Sequence, residues 1–151
     1  MNNIIIDDIV IDLMTIADLK NIKDILTSDF DKFWNYNVFK EELQSENSQY
    51  LVAKLNNEII GFAGIKIIID EADIMNIVTK KTYRNQGIGT LLLNEIISLC
   101  QKLNLNSISL EVNEINKSAI HLYKNFGFEK VGNRKKYYNN SNAILMTKGL
   151  N

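Results

Sequence analysis

Three features of the sequence carry residue types that could do chemistry. The first is Arg84-Asn85-Gln86-Gly87-Ile88-Gly89-Thr90, a glycine-bearing loop between a strand-like and a helix-like stretch. Glycine lets the backbone approach a ligand closely and adopt dihedrals that a Cβ penalises. A helix start also offers unpaired N–H groups and the positive end of a macrodipole to an anion. A pyrophosphate is the natural guest, and a ligand-free strand–helix turn is the alternative. The second feature is Glu111, on the polar side of an apolar strand. There a carboxylate either takes a proton from an incoming group or sits satisfied at a sheet edge. The third is Tyr123, whose phenol is either a proton donor or the tethered tip of a core aromatic.

Spacing and composition exclude several other classes. No lysine follows the glycines, as a P-loop requires. Leu92 stands where a Rossmann fingerprint would place its third glycine, and no acidic residue closes the next strand in the expected way. Cys100 is the only cysteine and His121 the only histidine. No intrachain disulfide, cysteine cluster or multi-histidine metal site is therefore expected. The net charge of −1 has no block of like charges, which argues against a nucleic-acid surface. Asp7, Asp8 and Asp12 interrupt the N-terminal apolar run, and nothing approaches the length of a membrane span. The expectation is a cytoplasmic protein. At 151 residues, 46% hydrophobic and 23% charged, the chain fits one globular domain over residues 1–151.

The elements that must position these residues follow from periodicity. Ile4 to Ile11 has the Ile/Val content of a first strand. Thr15 and Asp18 have the spacing of a capping box, ahead of a helix carrying Leu19, Ile22, Ile25 and Leu26. Asn37 is expected to cap a second helix with Val38 and Leu43. Between the two lies an aromatic cluster of Phe30, Phe33, Trp34, Tyr36 and Phe39, either core or groove. Tyr50–Leu55, Asn56-Asn57 and Glu58–Ile69 read as a hairpin, then Asp70-Glu71 as a turn and Ala72–Thr79 as a strand. The stripe Leu92, Leu93, Ile96, Leu99, Cys100, Leu103 marks a helix from about Ile88 and makes Cys100 a core residue. Ile108, Leu110 and Val112 alternate with Ser109, Glu111 and Asn113 in a further strand. A helix over Lys117–Asn125 buries Ala119, Leu122, Tyr123 and Phe126, ends at Gly127, and leaves His121 on its solvated side. Phe128–Tyr138 and Ala143–Lys148 close the chain as a hairpin. The order β-α-α-β-β-β-α-β-α-β-β implies an α+β fold, with helices covering a largely antiparallel sheet.

Arg84-x-x-Gly87-x-Gly89 on its strand–loop–helix resembles the Gln/Arg-x-x-Gly-x-Gly/Ala signature of the GNAT N-acetyltransferases. The likeness runs on through Asn116, Ala119, Leu122, Tyr123 and Phe126-Gly127-Phe128. Within the family it is most similar to the bacterial ribosomal-protein-alanine branch. The residues concerned are Asn76-Ile77-Val78, Leu110-Glu111-Val112, Trp34 and Arg134-Lys135-Lys136-Tyr137-Tyr138. Thr79 and Lys80 depart from that branch, which has valine and aspartate there.

The resemblance implies acetyl-CoA as co-substrate and no metal. Ile77, Val78 and Thr79 would hold the pantetheine arm and the thioester carbonyl through their main chain. Residues Arg84, Asn85, Gln86, Gly87, Ile88, Gly89 and Thr90 would cradle the pyrophosphate, with Asn116 near the reactive end. Glu111 would be the general base and Tyr123 the general acid. Trp34 and Tyr138 would line the acceptor groove; Tyr137 and Tyr138 alternate along a strand, so one of them faces it. The implied acceptor is the N-terminal α-amine of a protein, in the first instance a ribosomal one. Small amines such as polyamines or aminoglycosides, lysine side chains and a non-catalytic acyl-CoA sensor are the other readings. Glu111 and Tyr123 together speak against a sensor, since binding needs neither. A monomer or weak homodimer is expected.

Overall fold

The computed structural model describes residues 5–32, 34–138 and 140–150, the side chains of residues 136–138 excepted. The principal elements are β1 (Ile9–Leu13), α1 (Ile16–Asn21), α2 (Tyr36–Gln44), β2 (Ser48–Leu55), β3 (Glu58–Ile68), β4 (Glu71–Thr79), α3 (Ile88–Lys102), β5 (Ser107–Asn113), α4 (Lys117–Asn125), β6 (Glu129–Tyr138) and β7 (Ser141–Gly149). They form a seven-stranded sheet in the order β1-β2-β3-β4-β5-β7-β6. Its neighbours are antiparallel except β4 and β5. This is the α+β architecture expected from the sequence.

Local chemistry accounts for several boundaries. Asn56 and Asn57 have φ of 51° and 69°. Two positive-φ residues make the mirror-image turn that matches strand twist. Thr15 accepts from the Asp18 N–H at 3.1 Å while Asp18 accepts from the Thr15 N–H at 2.9 Å. The same carboxylate meets Lys54 of β2 at 2.8 Å, so the cap also ties α1 to the sheet. Burial opposes the Asp18 charge, but hydrogen bonds from Lys54 and Thr15 outweigh it and hold the carboxyl below its usual range. Gly127 (φ 91°) closes α4, with the Phe128 N–H donating to the Tyr123 carbonyl at 3.0 Å.

Several boundaries differ from the sequence reading, four of them with a clear local cause. β1 begins at Ile9, not Ile4, after a 3₁₀ turn over Ile6–Asp8. Its partners Leu55 to Leu51 set that start, whereas isoleucine content alone did not. The first helix stops at Asn21. Its apolar repeat continues through a 3₁₀ turn (Lys23–Ile25) and a π turn (Leu26–Phe30) that still bury Leu26 and Phe30. The cap of α2 is Asn35, which accepts from the Val38 N–H at 2.9 Å; Asn37 lies inside the helix. The β3–β4 turn is Ile69-Asp70, because Glu71 already pairs with Ile68.

The sheet carries a core on each face. Leu92, Leu93, Ile96 and Cys100 of α3 pack on Ile60, Ala63, Ile65, Ile108 and Leu110, with Ala119, Leu122, Tyr123 and Phe126 of α4 half-buried beside them. Burial pushes the Cys100 thiol up to about 11, so it is an inert core group. On the other face Leu19, Phe30 and Phe39 cover Tyr50, Val52, Phe62 and Val78.

Candidate active site

Among the described residues, the one parallel pairing of the sheet ends early. β4 and β5 are in register from Glu71↔Ser107 to Asp73↔Ser109 and then part, though β4 runs to Thr79 and β5 to Asn113. A bulge lies at the parting point: Gly64 pairs with Asn76 and Ile65 with Ile74, leaving Met75 as the extra residue. Such bulges bend a strand and re-aim its side chains. A cleft of about 460 Å³ occupies the seam, lined among others by Asp73, Met75, Ser109, Glu111, Val131 and Thr147. Beyond Asp73, β4 keeps β3 on one side (Ile77↔Ala63, Val78↔Phe62, Thr79↔Gly61) and has no strand on the other. An open strand edge presents unpaired main-chain donors and acceptors to whatever enters the seam.

The glycine loop follows directly from β4 and is held from beneath. Lys80 and Tyr83 bond Glu58 at 2.8 and 2.9 Å, pinning the loop to the β2–β3 turn. Arg84 donates to the carbonyls of Thr79 and Phe30 at 3.3 and 3.2 Å. Its guanidinium is thus a buttress joining β4 to the π turn. Asn85 (φ 64°) and Gly87 (φ 90°) are left-handed, and α3 starts at Ile88. Its first helical bond is Leu91 N–H to Gly87 carbonyl at 3.0 Å. The N–H groups of Ile88, Gly89 and Thr90 therefore precede the ladder and point out of the helix start. Outside its own helix backbone and chain neighbours, the nearest protein atom to a Cβ at Gly89 would be Thr79 Oγ1 at 3.9 Å. Space is left open there, beside an array of donors, as an anion cradle requires.

Glu111 and Tyr123 lie on opposite faces of the sheet. Leu110 and Val112 belong to the α3 core, so the alternation of β5 turns Glu111 to the α1–α2 face. Its carboxylate lines the cleft and meets Arg134 at 2.8 Å, the two side chains 29% and 55% exposed. Arg134 crosses from β6 over β7. Register breaks on both sides of it, at Val131 and over residues 135–137, set its direction. Sequence reading noted Arg134 only as part of a motif and missed the ion pair, because the pair joins residues two strands apart. Tyr123 lies half-buried on the α4 side, its ring edge-on to Phe128 with centroids 5.8 Å apart.

The remaining candidates are placed as follows. Asn116 caps α4, its Oδ1 accepting from the Ala119 N–H at 3.2 Å. Trp34 packs edge-on to Phe39 at 5.8 Å and against Tyr50 at 6.3 Å, so it is part of the aromatic core. The Tyr138 side chain lies outside the described residues, as does Phe33. His121 is exposed on α4. No group of three or more metal-ligating side chains occurs among the described residues, and no described helix is long and apolar enough to cross a membrane.

The profile of the Acetyltransferase (GNAT) family matches residues 19–128. The chain belongs to this family. The acetyltransferase is 38% identical over 120 residues to the ribosomal protein bS18-alanine N-acetyltransferase of Haemophilus influenzae, covering 75% of this chain and 80% of that one. Among solved structures it is similar to the ribosomal-protein-S18-alanine N-acetyltransferase from Escherichia coli, with a TM-score of 0.86, 28% identity and 94% of each chain covered. Ard1 from Thermoplasma volcanium shares the fold at a TM-score of 0.83 and 24% identity, over 95% of this chain and 99% of that one.

Proposed function

We propose that the enzyme transfers the acetyl group of acetyl-CoA to the N-terminal α-amine of a protein, in the first instance a ribosomal protein with a small first residue. The observation that carries this reading is the seam between β4 and β5. It has an open strand edge that leads to a donor-rich helix start, and Glu111 lines the cleft where the strands part. The likeness to ribosomal-protein alanine acetyltransferases supports the choice of acceptor.

In this reading the main chain of Ile77, Val78 and Thr79 takes the pantetheine arm as a further strand would be taken. The N–H groups of Ile88, Gly89 and Thr90, with the backbone of residues 84–87, hold the pyrophosphate. Arg84 contributes by fixing the loop. Asn116 lies near the reactive end of the co-substrate. Bound acetyl-CoA supplies an activated acyl group; the chain's own residues manage protons. Glu111 takes a proton from the acceptor ammonium, directly or through water, giving the neutral nucleophile. Tyr123 returns a proton to the departing thiolate from the opposite face of the sheet.

Proton affinity favours the α-amine. It titrates near 7.7–8.0 and lysine near 10.4, so at pH 7 lysine costs about 3–4 kcal/mol more to neutralise. The direct test is to incubate the enzyme with isotopically labelled acetyl-CoA and extracted ribosomal proteins, then locate the label by mass spectrometry. Label at the N-terminus of a protein beginning with a small residue is expected. Label confined to lysine side chains or to small amines would sink the proposal.

A further inference from the structure

Among the described residues, two buried side-chain polar atoms have no hydrogen-bond partner: the Tyr50 hydroxyl and the Asn76 Oδ1. Buried polar groups are almost always paired, so an orphan asks for an explanation. These two belong to one feature. Tyr50 stands opposite Gly64 on β3, and Gly64 stands opposite Asn76 on β4. A Cβ at Gly64 would fall 2.0 Å from the Tyr50 ring. The ring therefore lies flat across β3, and only glycine permits it. Strands are about 4.8 Å apart, so this posture carries the hydroxyl past β3 toward β4 and Asn76. Tyr50 itself is only 3% exposed. Burial, with Glu42 nearby, pushes its hydroxyl well above the ordinary tyrosine range, so it stays protonated.

The position of this row gives it a use. Asn76 is the first paired residue after the Met75 bulge, where β4 leaves β5. It shares the α1–α2 face with Val78 and Tyr50, the face to which Glu111 also turns. Trp34 rests on Tyr50 from above. The hydroxyl can donate and the carboxamide oxygen can accept. A residue of an extended peptide, whose N–H and carbonyl point to the same side, complements such a pair. A polyamine offers donors alone.

We propose that Tyr50 and Asn76 form the specificity floor of the acceptor pocket and bind the second residue of the acceptor: the Tyr50 hydroxyl donates to its carbonyl and Asn76 Oδ1 accepts from its N–H, the N–H of the first peptide bond. This rests on the reading of the acceptor as a polypeptide N-terminus. Both atoms are covered in the free enzyme, so the side chains over them shift as the acceptor enters. A site built to bond a polar group rejects analogues that lack it.

The test compares an N-terminal alanine peptide with its analogue in which the first peptide bond is an ester, which removes that N–H and also weakens the first carbonyl as an acceptor. Wild-type turnover of the peptide is measured first; its absence would overturn both this inference and the proposed function. Wild-type enzyme should lose about tenfold or more in kcat/KM on the ester, whereas Asn76→Ala should be weakened on the peptide and lose less than twofold further. Tyr50→Phe removes an orphan hydroxyl, so it should leave thermal stability and acetyl-CoA affinity unchanged or improved while raising KM for the peptide several-fold. An equal ester penalty in wild type and Asn76→Ala, or a Tyr50→Phe enzyme with wild-type peptide kinetics, would overturn the inference while leaving the acetyltransferase reading intact.

Discussion

Replacing Glu111 with glutamine separates its structural and chemical roles. The change keeps the shape and removes the charge, so in the folded protein it breaks one contact, the 2.8 Å ion pair with Arg134. Arg134 is 55% exposed, and solvent screens such pairs to about 0.2–1 kcal/mol. For a domain of this size that lowers Tm by at most about 4 °C. Loss of a positioned base costs about 10²–10⁴ in rate, or roughly 3–5 kcal/mol of barrier. Turnover should therefore collapse in a protein whose stability and acetyl-CoA affinity are close to wild type. The deficit should also depend on pH. An α-amine titrating near 7.7–8.0 is roughly a tenth neutral at pH 7 and about nine-tenths neutral at pH 9. The gap between Glu111→Gln and wild type should then narrow by nearly tenfold over that interval. The assay is steady-state acetylation of an alanine peptide from pH 6.5 to 9.5, with calorimetry for acetyl-CoA and a thermal melt. Near-wild-type turnover across the range would refute the base assignment, and a gap that does not close would refute its reason.

Three other perturbations follow from the same structure. Tyr123→Phe should lower kcat by about 10²-fold or more with little change in acetyl-CoA affinity, since its ring contact with Phe128 survives; equal loss of both in kinetics and calorimetry would make the hydroxyl structural. Gly87→Ala forces a Cβ onto φ 90°, costing about 1–2 kcal/mol, and should weaken acetyl-CoA binding about tenfold or more by turning the N–H array of α3, as calorimetry will read. Asp18 titrates below its unfolded value, so its stabilisation is present above about pH 4 and lost as pH falls through the lower folded pKa; Asp18→Asn should flatten that acid limb in pH-dependent denaturant melts.

Much of this molecule is written in short-range pattern. The Asn56-Asn57 turn, the Thr15–Asp18 box, the stripe on α3 and the glycine loop each depend on residues within one or two turns of each other. Sequence spacing reveals them for that reason. The helix after Thr15 misled because Leu19, Ile22, Leu26 and Phe30 are buried whether the backbone is α, 3₁₀ or π, and burial alone sets that repeat. Asn35 and Asn37 are equally good caps in isolation; the choice between them comes from how α2 docks on β2. The candidate site was legible as residue types on one side of a strand or at a helix start. Its long-range parts were not. Arg134 meets Glu111 across an intervening strand, and Tyr50 and Asn76 are joined only through Gly64, a glycine that no turn requires. Cross-strand register made both pairs visible.

The central claim, acetyl transfer to a protein N-terminus, is tested most directly by competition between two peptides of identical sequence. One has a free N-terminal alanine and no accessible lysine amine, its lysine being dimethylated. The other is blocked at the N-terminus and carries the same lysine unmodified. With limiting labelled acetyl-CoA near pH 7, mass spectrometry should find the label almost wholly on the free N-terminus of the first. Preferential labelling of the lysine in the blocked peptide would contradict the account.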